Sequence, residues 1–308
     1  MCCFYLEQGP REWLLEEAFR RRRPLLKLGK TRPELRGRRE AEFLRVLRAV
    51  EKSKVFGVSL EASYEEKTQR PLDWSQMRHV DPGEGEGKVP AERRQRKRWQ
   101  IENIVRLAES VASAGATVVD FCCGLGHQSL PLALLRPDLH FILVDQHAHT
   151  LDLAKKRWHT AFPTESSVSF RLGTVRDFDE PFDVGLALHA CGPASDDVID
   201  KCLSRGAAFI VCPCCVGKVK GQPKSRALKQ LLESTDGFRH LVKAADTNAH
   251  ASAAPVILDE KRRLCKTLLE LDRLAAVRDI DASYHTSLSK MQPLTASPKN
   301  DILVGRRK

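Results

Sequence analysis

One stretch constrains this chain more than any other: Thr117-Val-Val-Asp-Phe-Cys-Cys-Gly-Leu-Gly-His-Gln128. Val118 and Val119 suit a strand covered on both faces, as in a parallel sheet. Asp120 stands where that strand ends. Gly124 and Gly126 permit a tight turn and let a ligand approach the backbone. Gln128 to Leu135 then reads as the opening of a helix, whose first N–H groups lack intrahelical partners and face the same crevice. Strand, glycine turn and helix in that order put a ligand at the carboxyl end of an open sheet, near the switch in strand order.

Gly-x-Gly after a strand also occurs in turns that bind nothing. Two acids narrow the choice. Asp120 precedes the glycines, where it would repel dinucleotide phosphates but attract the sulfonium and amine of S-adenosylmethionine. A second strand, Leu139-His-Phe-Ile-Leu-Val-Asp145, ends in another acid 25 residues on. An acid there suits hydrogen bonds to both hydroxyls of a ribose. One acid for the amino-acid end and one for the ribose is the layout of a class I methyltransferase. Gly124-Leu-Gly126-His-Gln-Ser129 also nearly fits the dinucleotide fingerprint, so NAD(P) binding is the lesser reading. The cofactor-binding candidates are Asp120, Cys122, Gly124, Gly126 and Asp145. Gln146, after the ribose acid, and Thr174, after the third strand, are candidates for the adenine side by position alone.

The periodicity around this stretch predicts strands over 117–121, 140–145, 168–172, 182–188 and 207–212. Helices over 127–135, 148–159 and 194–204 alternate with them. Such alternation means a parallel sheet with right-handed crossovers, here ordered 3-2-1-4-5. Gly206 sits where a helix should stop. A long helix opens at Pro90 and runs to about Ser113, its first turns holding Arg93, Arg94, Arg96, Lys97 and Arg98. Further helices are expected over 226–232 and 264–277, and a short buried strand at Ile302-Leu-Val304. Ahead of the sheet, residues 11–23 and 34–54 read as amphipathic helices. The expected organisation is a basic helical extension over 1–56, a linker or irregular cover over 57–90, and a methyltransferase-like domain over 91–308.

The chain has 308 residues and a formal net charge of +11. Arg20 to Arg23, Arg36 to Arg39, Arg93 to Arg98 and the final Arg306-Arg-Lys308 carry much of it. That pattern points to a polyanion, RNA foremost, against the alternative of solvated helix faces. Aromatic residues make up only 6%, so no platform for stacking single-stranded bases is evident. No apolar run approaches the ~18 residues of a membrane span, and no secretory leader is expected. Ten cysteines, several clustered at strand ends, suit a reducing compartment, hence the cytoplasm, with organelle import as the alternative. A protein partner would dock through the N-terminal helices.

Two cysteine-bearing loops follow the fourth and fifth strands: Leu188-His-Ala-Cys-Gly192 and Val211-Cys-Pro-Cys-Cys-Val-Gly217. Neighbouring strands lie ~4.8 Å apart, so the two loops should face one another on the substrate side of the cofactor. The candidate catalytic residues are His189, as a general base or a loop anchor, and Cys191 and Cys214, as nucleophiles. The same thiols also read as small buried apolar residues or redox sensors. A zinc site from His189, Cys191, Cys212, Cys214 and Cys215 is disfavoured because Cys-x-Cys-Cys is tighter than the usual ligand spacing. No metal is therefore expected.

Asp120-Phe-Cys-Cys-Gly-Leu-Gly126, His189-Ala-Cys-Gly192, Cys212-Pro-Cys-Cys215 and Pro298-Lys-Asn-Asp-Ile-Leu-Val-Gly305 together resemble the methyltransferase-like family named after the glutathione S-transferase C-terminal domain-containing protein. Pro71-Leu-Asp-Trp74 and Arg96-Lys-Arg-Trp-Gln-Ile-Glu-Asn103 look like its entry segment. The resemblance spans about residues 71 to 308. It implies an α/β, Rossmann-like class I methyltransferase with a seven-stranded, mostly parallel sheet, binding S-adenosylmethionine. Similar domains include transfer-RNA methyltransferases. Longer members carry a helical transferase-like domain ahead of this region, for which the first 70 residues are too short. The chain also departs from the glycine pattern, with Cys122 where the first Gly usually stands. The function expected is methyl transfer to RNA, tRNA or rRNA. The alternatives are an inactive binding or assembly module of the same fold, or an enzyme acting on protein or a small molecule.

Overall fold

The computed structural model describes residues 59–60, 71–83, 89–162, 167–214, 216, 219, 221–232, 235–245 and 256–308. The expected helices at 11–23 and 34–54, and the basic runs within them, lie outside the described residues.

The strands are β1 (Ser59–Leu60), β2 (Thr117–Phe121), β3 (His140–Asp145), β4 (Val168–Leu172), β5 (Val184–Leu188), β6 (Ala208–Cys212), β7 (Tyr284–Lys290) and β8 (Asp301–Arg307). The helices are α1 (Ala91–Val111), α2 (Ser129–Leu135), α3 (Ala148–Ala161), α4 (Ala194–Arg205), α5 (Arg226–Leu231), α6 (Thr235–Ala245) and α7 (Val256–Ile280). All eight strands join one sheet in the order β1-β7-β8-β6-β5-β2-β3-β4. From β2 to β6 the pairing is parallel throughout, in the expected 3-2-1-4-5 order. β8 runs antiparallel between β6 and β7. Seven strands thus make the body of the sheet, and the two residues of β1 pair parallel to β7 at one edge. With its helical crossovers, this is the class I methyltransferase topology.

Several elements depart from the sequence reading. β7 was not expected, and neither was α6; α7 also begins eight residues before the expected helix. β7 escapes detection because buried Thr286, Ser287 and Ser289 interrupt its hydrophobic pattern. Elsewhere local chemistry decides the boundaries. Gly206 ends α4 with φ +67°, donating its N–H to the Cys202 and Leu203 carbonyls. That is the left-handed cap glycine adopts without a Cβ clash.

The chain divides into two compact units. The first, residues 58–219 and 273–308, holds the sheet and α1 to α4. Its core joins Val118, Leu143 and Leu186 of the sheet to Ile101, Ile104 and Val105 of α1. Leu72, Trp74, Met77 and Val80 pack into the same core, so 71–80 forms an irregular cover. Buried Glu102 fixes that cover, accepting from the Leu72 N–H at 3.2 Å and the Trp74 Nε1–H at 2.8 Å. Asp81 then accepts from the Gly83 N–H at 3.0 Å and pairs with Arg98. In the second unit the described residues are 221–232, 235–245 and 256–272. There Asp272 accepts from the N–H groups of Lys224 and Ser225 at 2.8 and 2.9 Å, fixing the start of α5.

Candidate active site

The turn after β2 follows from its backbone. Cys122, Gly124 and Gly126 all have positive φ, at +56°, +54° and +71°. Only glycine takes that conformation without strain. The Cys123 N–H donates to the Val144 carbonyl at 3.1 Å, extending the β2–β3 pairing by one bond. The chain then closes on itself, Gly126 N–H to Cys123 O at 2.9 Å, and enters α2 through Leu130 N–H to Gly126 O at 3.0 Å. At Gly126 a Cβ would lie 2.9 Å from Leu130 Cγ and 3.0 Å from Leu143 Cδ2, so helix and sheet meet there. At Gly124 a Cβ would meet nothing within 4 Å. The backbone at Gly124 therefore presents an open face.

The two acids do different things. Asp145 ends β3 at the edge of this opening, 9% exposed. Its carboxylate accepts from the Gly124 N–H at 2.9 Å through Oδ2 and from the His147 N–H at 2.9 Å through Oδ1. Those bonds orient it across the crevice. Asp120 is wholly buried, and both its oxygens are taken: Gln128 Nε2 donates at 2.5 Å and Ser129 Oγ at 2.6 Å. It clamps the start of α2 to the end of β2, which makes it a positioning residue for the turn. Burial pushes its carboxyl up to about 7, against the opposing hydrogen bonds from Ser129 and Gln128. Asp145 nearby adds to the rise.

Gln146 is exposed immediately after Asp145. Thr174 is exposed in the loop after β4, its hydroxyl donating to Asp177 Oδ2 at 2.7 Å. Cys122 is exposed on the turn, while Cys123 and Cys212 are buried beneath.

The cysteine loops meet as the topology requires. Leu188 pairs with Cys212, and the His189 N–H donates to the Cys212 carbonyl at 3.1 Å. His189 has φ +70°, the other non-glycine residue in the left-handed region among those described. Gln100 Nε2 donates to the Ala296 carbonyl at 2.7 Å, so Gln100 presents Oε1 to His189 Nε2, 2.9 Å away. Nε2 therefore carries the proton and Nδ1 is the acceptor. Burial, assisted by Lys97 and Lys299, lowers the imidazole to about 4, so His189 is neutral at pH 7. The ring is thus anchored through Nε2 and neutral, with Nδ1 left as its proton-accepting atom. Cys191 and Cys214 are brought together: their sulfurs stand 2.8 Å apart. Among the described residues no three His, Cys, Asp or Glu side chains converge on a metal-sized point.

Beside the turn lies a cleft of about 410 Å³. α1 lines it with Arg93, Arg94, Arg96 and Lys97, and His127 and His189 come from the loops after β2 and β5. Arg157 of α3 braces this wall, donating to the Leu125 carbonyl at 2.9 Å, to His127 Nδ1 at 3.1 Å and to the Asp81 carbonyl at 3.1 Å. The sequence reading assigns no role to Gln100, Glu102 or Arg157, although the first two lie in the quoted entry segment. Nothing in the pattern distinguishes them from other polar helix residues.

Residues 96–222 match the family described as a methyltransferase domain. The chain is 36% identical over 244 residues to the mouse glutathione S-transferase C-terminal domain-containing protein, covering 76% of itself and 36% of that relative. The Drosophila melanogaster homolog is 32% identical over 247 residues, covering 77% of this chain and 41% of its own. The chain thus spans about two-fifths or less of the curated relatives it matches. Among solved structures, an S-adenosylhomocysteine-bound methyltransferase from Podospora anserina superposes with a TM-score of 0.45 and 11% identity, over 91% of this chain and all of that one. No helix among the described residues is long and apolar enough to cross a membrane.

Proposed function

Since the chain carries a methyltransferase domain and is homologous over three quarters of its length to the glutathione S-transferase C-terminal domain-containing proteins, we propose that it transfers the methyl group of S-adenosylmethionine to RNA. The cofactor would lie over Gly124, where the backbone is open, with its ribose hydroxyls on Asp145. When bound, it supplies an electrophilic methyl carbon. Asp145 needs no rearrangement to accept, because two backbone N–H groups already hold its carboxylate in place. Asp120 keeps the turn and α2 in register beneath. Arg157 holds the Leu125 carbonyl and His127, and so the outer lip of the same turn.

One observation carries the substrate reading: the cleft beside the cofactor turn is walled by four cations of α1. Such a wall neutralises phosphates and releases their counterions. His127 and His189 complete it on the side of the turn and of β5, so an RNA backbone seated there delivers its neighbouring nucleotide to the methyl group. Folded RNAs such as tRNA or rRNA suit this arrangement, since the cleft supplies charge and few aromatic rings.

Calorimetric titration of the full chain with S-adenosylmethionine, beside Asp145→Ala, tests the cofactor. The variant is expected to bind at least about tenfold more weakly, roughly 1.4 kcal/mol. Labelled-methyl transfer to total RNA, against protein extract and small thiols, tests the substrate. Absence of cofactor binding by the folded native chain would overturn the enzyme reading and leave a binding module. Label in protein or thiols alone would overturn RNA.

A further inference from the structure

We propose that Cys191 and Cys214 are an oxidation site, forming a reversible disulfide that ties the loop after β5 to the loop after β6. Their sulfurs are 2.8 Å apart, whereas a disulfide bond is about 2.05 Å long, so closure brings them about 0.75 Å nearer. The juxtaposition is built into the sheet. β5 and β6 are parallel neighbours in register at Leu188 and Cys212, so the thiols follow a shared level by three and two residues. The left-handed backbone at His189 turns the first loop toward the second, and the His189 carbonyl lies 3.3 Å from one sulfur and 3.8 Å from the other. The ring that closes contains α4 and β6, both already fixed by the fold.

Access and selectivity favour this pair. Cys191 is exposed and Cys214 half-buried, whereas Cys123, Cys202, Cys212 and Cys265 are buried. Cys122 is exposed on the turn after β2, outside both of these loops. The protein packed around its sulfur, with the carboxylates of Asp145 and Asp120, raises its thiol to about 11, which keeps it protonated.

With hydrogen peroxide as oxidant, the Cys191 thiolate attacks one peroxide oxygen and the O–O bond breaks. The departing hydroxide takes up a proton as water, and Cys191 becomes a sulfenic acid. Cys214 then attacks that sulfur, the S–S bond forms and a second water leaves. Two thiols lose two electrons and two protons in total, and the peroxide becomes two waters. A small dithiol reverses the reaction by exchange, becoming a disulfide itself. The inference stands apart from methyl transfer, so either can fail without the other.

The test is to treat the full chain with hydrogen peroxide, block remaining thiols and map peptides without reduction. A Cys191–Cys214 linked peptide, two hydrogens lighter than the free pair and restored by dithiothreitol, is expected. Cys191→Ser and Cys214→Ser should each abolish it, while Cys122→Ser and Cys215→Ser should retain it. In Cys214→Ser, a sulfenic acid should be trapped on Cys191 by dimedone. Two thiols still reduced at peroxide levels that oxidise free cysteine would overturn the proposal. So would linkage of either to Cys122 or Cys215, or a bond formed only between molecules.

Discussion

Asp120 keeps a carboxylate where water cannot reach it, held by Gln128 and Ser129 alone. Its acidity ordinarily lies near 3.8 and is raised to about 7 in the fold. The folded state therefore holds this proton more tightly than the unfolded state. The stability it contributes is complete below about pH 3.8 and is lost as pH rises to about 7, by up to roughly 4 kcal/mol. Asp120→Asn keeps the shape and removes the proton. Denaturant unfolding at pH 5 and pH 8 should show a smaller fall in stability with pH for the variant than for the native chain; equal falls would contradict this account. Cys122 poses a different question on the same turn. Its φ of +56° costs a side chain about 1 kcal/mol that glycine avoids. Cys122→Gly is expected to stabilise the protein by about that much, read as a higher denaturant midpoint at unchanged m-value. Gly126→Ala should do the reverse, because its Cβ would press on Leu130 and Leu143 as well as strain the backbone.

At the scale of elements, the cover over 71–80 hangs on one acid of α1. Glu102→Ala would leave the Trp74 indole N–H and the Leu72 N–H buried without an acceptor, costing about 2–3 kcal/mol. Glu102→Gln keeps an acceptor and should cost much less. Limited proteolysis reads the difference: the alanine variant should be cut within 71–83 first. Arg157→Met likewise tests the brace from α3 to the turn, with cofactor affinity expected to fall severalfold while the fold persists. These connections also explain what the sequence made legible. The run from Thr117 to Gln128 could be read because its geometry is local: valines for a covered strand, glycines for left-handed turns, an acid at each strand end. The parallel sheet followed from alternation, while the 3-2-1-4-5 order came with the methyltransferase layout that the turn and its two acids suggest. β7 could not be read, since Thr286, Ser287 and Ser289 give it a polar face that is nonetheless buried. Glu102, Gln100 and Arg157 act on partners 28 to 196 residues away, and no local spacing reports such bonds. Cys191 and Cys214 could be assigned to facing loops, but their sulfur contact could not.

For the whole molecule, a net charge of +11 and the cationic cleft make the proposed affinity for RNA a matter of salt. The logarithm of the binding constant should fall linearly with the logarithm of salt concentration. Each lost phosphate contact should reduce that slope by roughly 0.7 to 0.9. Arg93→Glu with Arg96→Glu should lower both affinity and slope while S-adenosylmethionine binding is retained; an unchanged slope would move the RNA contact elsewhere. The position of β8 bears on how such a molecule is assembled. As the chain is synthesised, β3, β4, β5 and β6 each emerge to find a neighbour already made. β7 finds only the two residues of β1, because its place in the body of the sheet lies beyond β8, which follows it. Until β8 arrives, β6 offers an unpaired edge, the kind of surface on which unfinished chains aggregate and chaperones act. β1, the earliest of the described strands to leave the ribosome, is joined to the sheet only through β7, and so becomes the last of them to be secured.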